Sequence, residues 1–394
     1  MKKVTIYSTR ICPYCVRAKN FFNKKDIAYE DIMVDMDQEQ LKIMMEKFTK
    51  KRHPGKKLFL ILFSIGSFLW LLSNTQESGK KLSPLIIRGS TMGTYFIVTY
   101  FPNQGKKIKI ENLNEMITKD LEKVNQQMST YIDDSEISQF NRIEKNKDFR
   151  ISPWFYEVTK FSLELSNKTS GSFDPTVGPL VNKWGFGPKK NQLPPTAQEI
   201  QKTLSQVGYE KIKLTEKTIK KSHSKVYLDL SSVAKGFAVD IISEKLNSLG
   251  ISNHLVEIGG EIRASGDKNG SPWLIGIEDP NLTENLQQLV FLKNSSIATS
   301  GPYRNYFETE NGKITHTIDP KTGKALINNI LSVSIIDKKC MKADALATAL
   351  LVMGENKAIQ YTKDNQIAAM LIIENGTNKK TFMTEKFKQA IFRG

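Results

Sequence analysis

Fifteen consecutive uncharged residues, from Leu58 to Leu72, break an otherwise mixed chain. They read Leu58-Phe59-Leu60-Ile61-Leu62-Phe63-Ser64-Ile65-Gly66-Ser67-Phe68-Leu69-Trp70-Leu71-Leu72. Lys47, Lys50, Lys51, Arg52, Lys56 and Lys57 stand just before them. A basic flank followed by such a stretch is the pattern of a secretory signal or signal anchor. As a helix at ~1.5 Å per residue the run covers roughly 23 Å, short of a ~30 Å hydrocarbon core, and flanking residues can supply the rest. A helix buried in a globular core is the other reading. The positive-inside rule places residues 1–57 in the cytoplasm and the chain from residue 74 outside. No Cys stands directly after the run, so no lipid attachment is expected, and no clear small-x-small cleavage site follows it.

The charge balance is consistent with this division. Lys plus Arg is 57 against 41 Asp plus Glu, a formal net charge of +16. Residues 1–57 alone hold 14 basic and 7 acidic side chains. The remaining excess is scattered Lys without an aromatic-interleaved basic stripe, so nucleic acid is not an expected partner. With 25% charged and 39% hydrophobic residues the chain is neither disordered nor a polytopic membrane protein. Three Cys among 394 residues exclude a disulfide framework.

Before the apolar run, Lys3-Val4-Thr5-Ile6-Tyr7 reads as a strand and Ile27-Ala28-Tyr29-Glu30-Asp31-Ile32 as a second. Between them lies Cys12-Pro13-Tyr14-Cys15, followed by an amphipathic stretch with Val16, Ala18 and Phe22. A Cys-x-x-Cys at a helix start is a redox motif, because the helix N-terminus favours the thiolate and the second Cys can resolve a mixed disulfide. No further zinc ligands stand nearby. The segment resembles the first half of a glutaredoxin, a truncated thioredoxin-like βαβ fragment. The cis-proline, the paired glycines and the final helix of that family are missing. Some 50 residues with half a sheet bury too little to be stable alone, so a vestigial or fused fragment is expected.

From residue 83 on, strand and helix signals mix without a repeat, an α+β pattern. Strands are expected at Leu85–Ile87, Tyr95–Tyr100, Val226–Leu230, Leu255–Ile258, Trp273–Ile277, Leu289–Leu292, Ile314–Ile318, Leu331–Ile336 and Ala368–Ile373. Ile110, Leu113, Ile117, Leu121, Val124 and Met128 keep helical spacing. A helix follows Ser152 with Pro153 in its first turn. Thr196 and Glu199 form a capping box that opens another, and a third runs from Ser231-Ser232 to Gly250. A late helix covers about Met341 to Met353.

Three stretches have the make-up of anion-binding turns. They are Gly89-Ser90-Thr91-Met92-Gly93-Thr94, Gly171-Ser172-Phe173-Asp174-Pro175-Thr176-Val177-Gly178-Pro179 and Asp229-Leu230-Ser231-Ser232-Val233-Ala234-Lys235-Gly236. Helix N-termini attract anions through unpaired N–H groups and the dipole, and Lys235 adds a full charge. None is a Walker A or GxGxxG motif, and each taken singly reads first as a structural turn. In the late helix Asp344 and Thr348 stand at i and i+4 and share a face. A carboxylate beside a hydroxyl suits a hard cation such as Mg²⁺; a solvent-exposed pair is the plainer alternative.

Taken in order, these stretches resemble the FAD:protein FMN transferase family, called ApbE, from about residue 85 to 390. Met128-Ser129-Thr130-Tyr131, Ser135-Glu136-Ile137-Ser138-Gln139-Phe140-Asn141, Leu180-Val181-Asn182-Lys183-Trp184-Gly185-Phe186-Gly187, Glu257-Ile258-Gly259-Gly260-Glu261, His316-Thr317-Ile318-Asp319-Pro320-Lys321-Thr322-Gly323 and Ala343-Asp344-Ala345-Leu346-Ala347-Thr348 complete the match. The resemblance implies a tunnelling-fold-like α+β unit and an extracytoplasmic enzyme. Such an enzyme cleaves the FAD pyrophosphate, joins FMN through a phosphoester to Thr or Ser of a partner flavoprotein, and releases AMP. It implies that Met92, Tyr131, Ser172, Phe173, Asp174, Asp229, Lys235 and Ile318 line the FAD site. It also implies that the Ser232 backbone oxygen, Asp344 and Thr348 hold Mg²⁺. Some members carry a second Asp where this chain has Ala347. A general base for the incoming hydroxyl is expected, and His316, one of four His, stands beside the Asp319-Pro320 loop. Cys340 reads as a small buried residue. The rival functions are an FAD pyrophosphatase with water as acceptor, a membrane-anchored thiol oxidoreductase using Cys12 and Cys15, and a flavin-binding protein without catalysis.

The expected layout is a glutaredoxin-like fragment over 1–50, a basic flank over 51–57, the apolar segment over 58–73, a linker over 74–84 and the catalytic unit over 85–390. The inner membrane of a bacterium is the expected location, entered through residues 58–73, with the catalytic unit on the periplasmic side.

Overall fold

The strand Ala368–Asn375 shows how the layers are arranged. Ala369, Leu371 and Ile373 point into one buried cluster, and Met370 and Ile372 into another. Successive side chains of a strand face opposite sides, so this strand lies in a sheet covered on both faces. The computed structural model describes residues 4–8, 29–33, 83–102, 108–188, 194–268, 270–280, 286–302, 306–309 and 312–392. Cys12, Cys15 and the 58–73 segment lie outside the described residues.

Two compact units divide the chain, Met1–Ser78 and Gly79–Gly394. In the first, Val4–Ser8 and Tyr29–Met33 pair in parallel, with Val4 opposite Tyr29 and Ser8 opposite Met33. A parallel pair requires a crossover between its strands, as a βαβ fragment does.

The second unit is built on eight strands: β1 (Leu85–Thr91), β2 (Thr94–Tyr100), β3 (His254–Ile258), β4 (Glu261–Ser265), β5 (Ser295–Ser300), β6 (Ile330–Asp337), β7 (Ala368–Asn375) and β8 (Asn378–Met383). They are neighbours in chain order, and every pair is antiparallel. The architecture is an α+β meander into which helices are inserted. Residues 101–253 separate β2 from β3 and hold α1 (Ile110–Met128), α2 (Pro153–Lys168) and α3 (Ser231–Ser248). The fourth long helix, α4 (Cys340–Met353), follows β6. Pro153 sits in the first turn of α2, and Thr196 and Glu199 form the reciprocal capping box of Ala197–Leu204.

Both α3 and α4 are buried nearly all round in their middle turns. Val233, Ala234, Phe237, Ala238 and Ile242 of α3 are buried, as are Ala343, Ala345, Leu346, Ala347 and Leu350 of α4. Helices of that kind belong in a core, and they occupy the sheet face that receives Ala369 and Leu371. On the opposite face, the hairpin Trp273–Glu278 and Leu286–Leu292 packs with Phe101 and Phe387. Among the described residues no helix is long and apolar enough to cross a membrane.

Two sequence expectations are corrected. Val226–Leu230 alternates buried and half-buried as a strand would, yet it pairs with no strand. The Asn141 side chain substitutes for the missing neighbour. Its Oδ1 accepts from the Leu228 N–H at 2.7 Å and its Nδ2 donates to the Leu228 carbonyl at 2.9 Å. Lys221, fully buried, donates to the Asn141 and Val226 carbonyls at 2.7 and 3.0 Å and locks the same segment. Ile314–Ile318 is likewise interrupted: a hairpin strand ends at Thr315, and Ile318 makes an isolated bridge to Ala325. Helices Glu136–Arg142 and Glu355–Asp364 were not anticipated.

The α3–α4 contact is close because Gly236 has no side chain. A Cβ there would lie 2.5 Å from the Cys340 carbonyl oxygen and 2.9 Å from the Asp344 Cβ. Gly236→Ala is expected to cost about 1–3 kcal/mol, the range of core overpacking. Denaturant unfolding measures it, and an unchanged midpoint would refute the tight crossing.

Candidate active site

A cleft of about 620 Å³ opens where α3 and α4 meet the turns of the sheet. All the site residues singled out in the sequence line it: Met92, Tyr131, Ser172, Phe173, Asp174, Asp229, Ser232, Lys235, His316, Ile318, Asp344 and Thr348. They come from six separate stretches, each held in place by a different local device.

Met92 and Gly93 are the two central residues of the β1–β2 hairpin, and both have positive φ, 50° and 71°. That is the geometry of a two-residue primed turn. Gly accepts it freely, whereas Met does so at a cost, and Met92 thereby reaches the cleft. Tyr131 stands at the mouth, 67% exposed, with its hydroxyl donating to the Phe186 carbonyl at 3.2 Å. Burial of its lower part, then the Asp229 charge, pushes its pKa up.

The 171–178 loop is organised by Asp174. Its Oδ1 accepts from the Thr176 N–H and hydroxyl at 2.8 and 2.6 Å, and Oδ2 from the Tyr209 N–H at 3.0 Å. Both carboxylate oxygens are therefore spent within the protein, and burial still pushes its pKa above the usual range. Ser172 and Phe173 are presented to the cleft by this scaffold. Asp229 accepts the Ser231 N–H at 2.9 Å and so shapes the entry to α3. The N-terminal turn of α3, with Ser232, and Lys235 one turn further on thus face the cleft, which favours anions there.

The other wall comes from the segment between β5 and β6. His316 follows the hairpin strand Gly312–Thr315 and stacks edge-on against Phe186, ring centroids 6.3 Å apart. Ile318 is anchored among Leu180, Ile200 and Val207. Asp319 accepts from the Lys321 N–H and the Thr322 hydroxyl, closing the turn behind them.

The floor is α4. Asp344 is 3% exposed, and its Oδ2 accepts the Gly236 N–H at 3.0 Å. One turn on, the Thr348 hydroxyl shares a hydrogen bond with Ser300 at 3.1 Å. Burial drives the Asp344 carboxyl up to about 7, against the pull of Lys235 and with the push of Glu261. Lys235 is 2.6 Å from Glu261 Oε1, and the carboxylates around it hold it charged although it is half-buried. Glu261, Thr299, Ser300 and Thr317 also line the cleft and were not singled out as site residues. Glu261 lay within a quoted motif, but a pairing with Lys235 leaves no periodic signal.

The donors fit a small hard cation. Asp344 offers a second carboxylate oxygen, Thr348 a hydroxyl, and Ser232 a carbonyl with two lone pairs whose helical partner, the Gly236 N–H, also serves Asp344. Among the described residues no group of three or more His, Cys, Asp and Glu side chains converges. Mg²⁺ needs no such cage, since it keeps waters and substrate oxygens in its shell.

An antiparallel sheet with a helix N-terminus, a lysine and buried oxygen donors around one cleft defines a protein built to hold a phosphorylated ligand. Comparison with known proteins narrows this. A model of the ApbE family matches residues 92–371 and a Glutaredoxin model matches residues 4–54. An FAD:protein FMN transferase of Vibrio cholerae is 40% identical over 83% of this chain and 97% of its own length. One from Haemophilus influenzae is 40% identical over 85% and 98%. The structure of the flavin transferase ApbE from Vibrio cholerae superposes with a TM-score of 0.73 at 38% identity, over 78% of this chain and 99% of that one. The apo flavinyl transferase ApbE of Pseudomonas stutzeri gives 0.73 at 33% identity, over 79% and 98%. The chain belongs to the ApbE family.

Asp174→Ala removes the acceptor of three donors and is expected to cost about 2–4 kcal/mol, with Asp174→Asn recovering part through Thr176. Thermal unfolding of the two variants checks this. Equal stability of Asp174→Ala and the parent chain would refute the scaffold role.

Proposed function

We propose that this chain is an Mg²⁺-dependent FAD:protein FMN transferase. The observation that carries the reading is one cleft lined by Lys235, Asp344, Thr348, His316 and the start of α3, in a chain whose relatives bear that name. The acceptor is a Thr or Ser hydroxyl of a partner flavoprotein. Its oxygen attacks the phosphorus of the FMN half of FAD. A phosphoester bond forms, the P–O bond to AMP breaks, and AMP leaves. His316 takes the hydroxyl proton. Lys235 and the N–H groups of the first turn of α3 hold the diphosphate oxygens. Asp344, Thr348 and the Ser232 carbonyl hold the cation. When bound, Mg²⁺ neutralises charge on the phosphoryl oxygens and on the leaving group. Met92, Tyr131, Ser172, Phe173, Asp229 and Ile318 enclose the rest of FAD, while Asp174 acts through the loop it organises. The 58–73 segment anchors the chain in the inner membrane, with the catalytic unit on the periplasmic side.

The test incubates the full chain with FAD, Mg²⁺ and an acceptor domain carrying an Asp-x-x-[Ser/Thr]-x-Ala-Thr-type motif. In-gel flavin fluorescence and released AMP are expected in equal amounts. AMP without a fluorescent acceptor marks a pyrophosphatase, and neither product with FAD bound marks a binding protein. Asp344→Ala is expected to abolish transfer. His316→Ala is expected to lower kcat by roughly 10²–10⁴, the usual worth of a general base; full activity in that variant refutes the assignment.

The cation should also bind with a pH dependence set by Asp344. Burial raises its carboxyl to about 7, and only the carboxylate is a ligand. Mg²⁺ affinity is therefore expected to rise as pH increases through 7 and to level off above it. Titration of Mg²⁺ at a series of pH values measures this, and a flat profile between pH 5.5 and 8 refutes it.

A further inference from the structure

Three ionisable side chains line the floor of the cleft, and their charges do not balance. Lys235 brings one positive charge, while Asp344 and Glu261 bring two carboxyl groups. Glu261 is 4% exposed, the first residue of β4, and lies just past the Gly259-Gly260 turn. Its Oε1 takes the Lys235 ammonium at 2.6 Å. Its Oε2 is buried and has no hydrogen-bond partner. The ammonium therefore has a choice. Asp344 attracts it strongly enough to help hold it charged, yet the short contact is with Glu261. Asp344 is left with one oxygen on the Gly236 N–H and the other open.

We propose that Glu261 is a positioning residue: it draws Lys235 aside and so reserves Asp344 for the divalent cation. The inference rests on the cation reading above. A half-buried ammonium that loses its partner is drawn to the other carboxylate acting on it, because its pairing is what offsets its desolvation. Without Glu261, the carboxylate that still acts on Lys235 is Asp344. Lys235 would then occupy the ligand as an internal cation, in competition with the metal. The spare Oε2 lets Glu261 keep Lys235 in place across small movements of the ammonium.

The discriminating experiment follows Mn²⁺ alone, by the loss of its free-ion electron paramagnetic resonance signal, on the full chain at pH 8. Glu261→Gln is expected to weaken binding at least tenfold, the lower end of the effect of losing a residue that supports metal ligands. Lys235→Met placed on top of Glu261→Gln is expected to restore binding to near the parent value, because the competitor is gone. A direct ligand role for Glu261, or a purely structural one, predicts no such restoration. The proposal is overturned if Glu261→Gln binds Mn²⁺ as the parent does. It is also overturned if the double variant stays as weak as the single one. Asp344→Asn separates the two layers of argument. If the parent chain binds no more Mn²⁺ than Asp344→Asn, the cation reading itself fails. If the parent binds and Asp344→Asn does not, the Glu261 variants judge the present inference alone. Should Glu261→Gln not fold, the double variant, which leaves no unmatched ammonium, is compared with the parent directly. Parent-like Mn²⁺ binding then supports the proposal, and a tenfold loss overturns it.

Discussion

The hydrogen bond from the Gly236 N–H to Asp344 Oδ2 is the contact on which the site depends. It joins the first turns of α3 to α4 across a gap that only a glycine permits. It fixes a carboxylate in a core that would otherwise expel it, and it brings the Ser232 carbonyl, Lys235 and Thr348 to the same side. The Asp240 carboxylate repeats the device one turn along α3. It accepts from the Cys340 and Met341 N–H groups at 3.0 Å each, capping α4, and pairs with Arg263. Two acidic side chains, a turn apart on neighbouring helices, thus lock the crossing angle with backbone donors. Backbone donors suit the task because they cannot rotate away.

The sheet explains why residues so distant in sequence converge. In an antiparallel meander the β1–β2, β3–β4 and β5–β6 connections all emerge at the same end. Met92 lies in the first, Gly259 in the second with Glu261 directly after it, and His316 and Ile318 in the third. Gly259 lies against Thr94, where a Cβ would come within 2.8 Å of its methyl group, so the first two turns touch. The start of α3 falls at this end as well, because that helix runs back along the sheet before β3 begins. Topology alone therefore gathers the loops, and helix packing sets their spacing.

Much of this was legible in the residues. Turn chemistry, the capping box and the i, i+4 pair of Asp344 and Thr348 are local signals, and the structure has each of them. The match to ordered motifs brought together positions that no local signal connects. What stayed hidden was long-range compensation. Val226–Leu230 has the alternation of a strand, and nothing in its own residues says that Asn141 will take the place of a neighbour. Lys221 reads as an ordinary surface lysine, yet it is buried, its amine pushed down to about 8 by desolvation. The Lys235–Glu261 pair is invisible for the same reason: ion pairing between a helix and a strand has no period.

The same reasoning separates the residues that build the cleft from those that act in it. A side chain whose polar atoms are all satisfied by the protein has little left for a ligand. Asp174 is such a residue, and so is Asn141. Asp344, with one open oxygen, and Glu261, with one buried and unpartnered, are the opposite case. Their desolvation is compensated only in part by Lys235, so these two carboxyls are where a ligand cation would gain most. On the proposed cation reading, affinity for the ion would come from this imbalance rather than from ligand count. An extra acid at position 347 would add to that imbalance. With Ala347 there, the balance falls to the ion pair between α3 and β4.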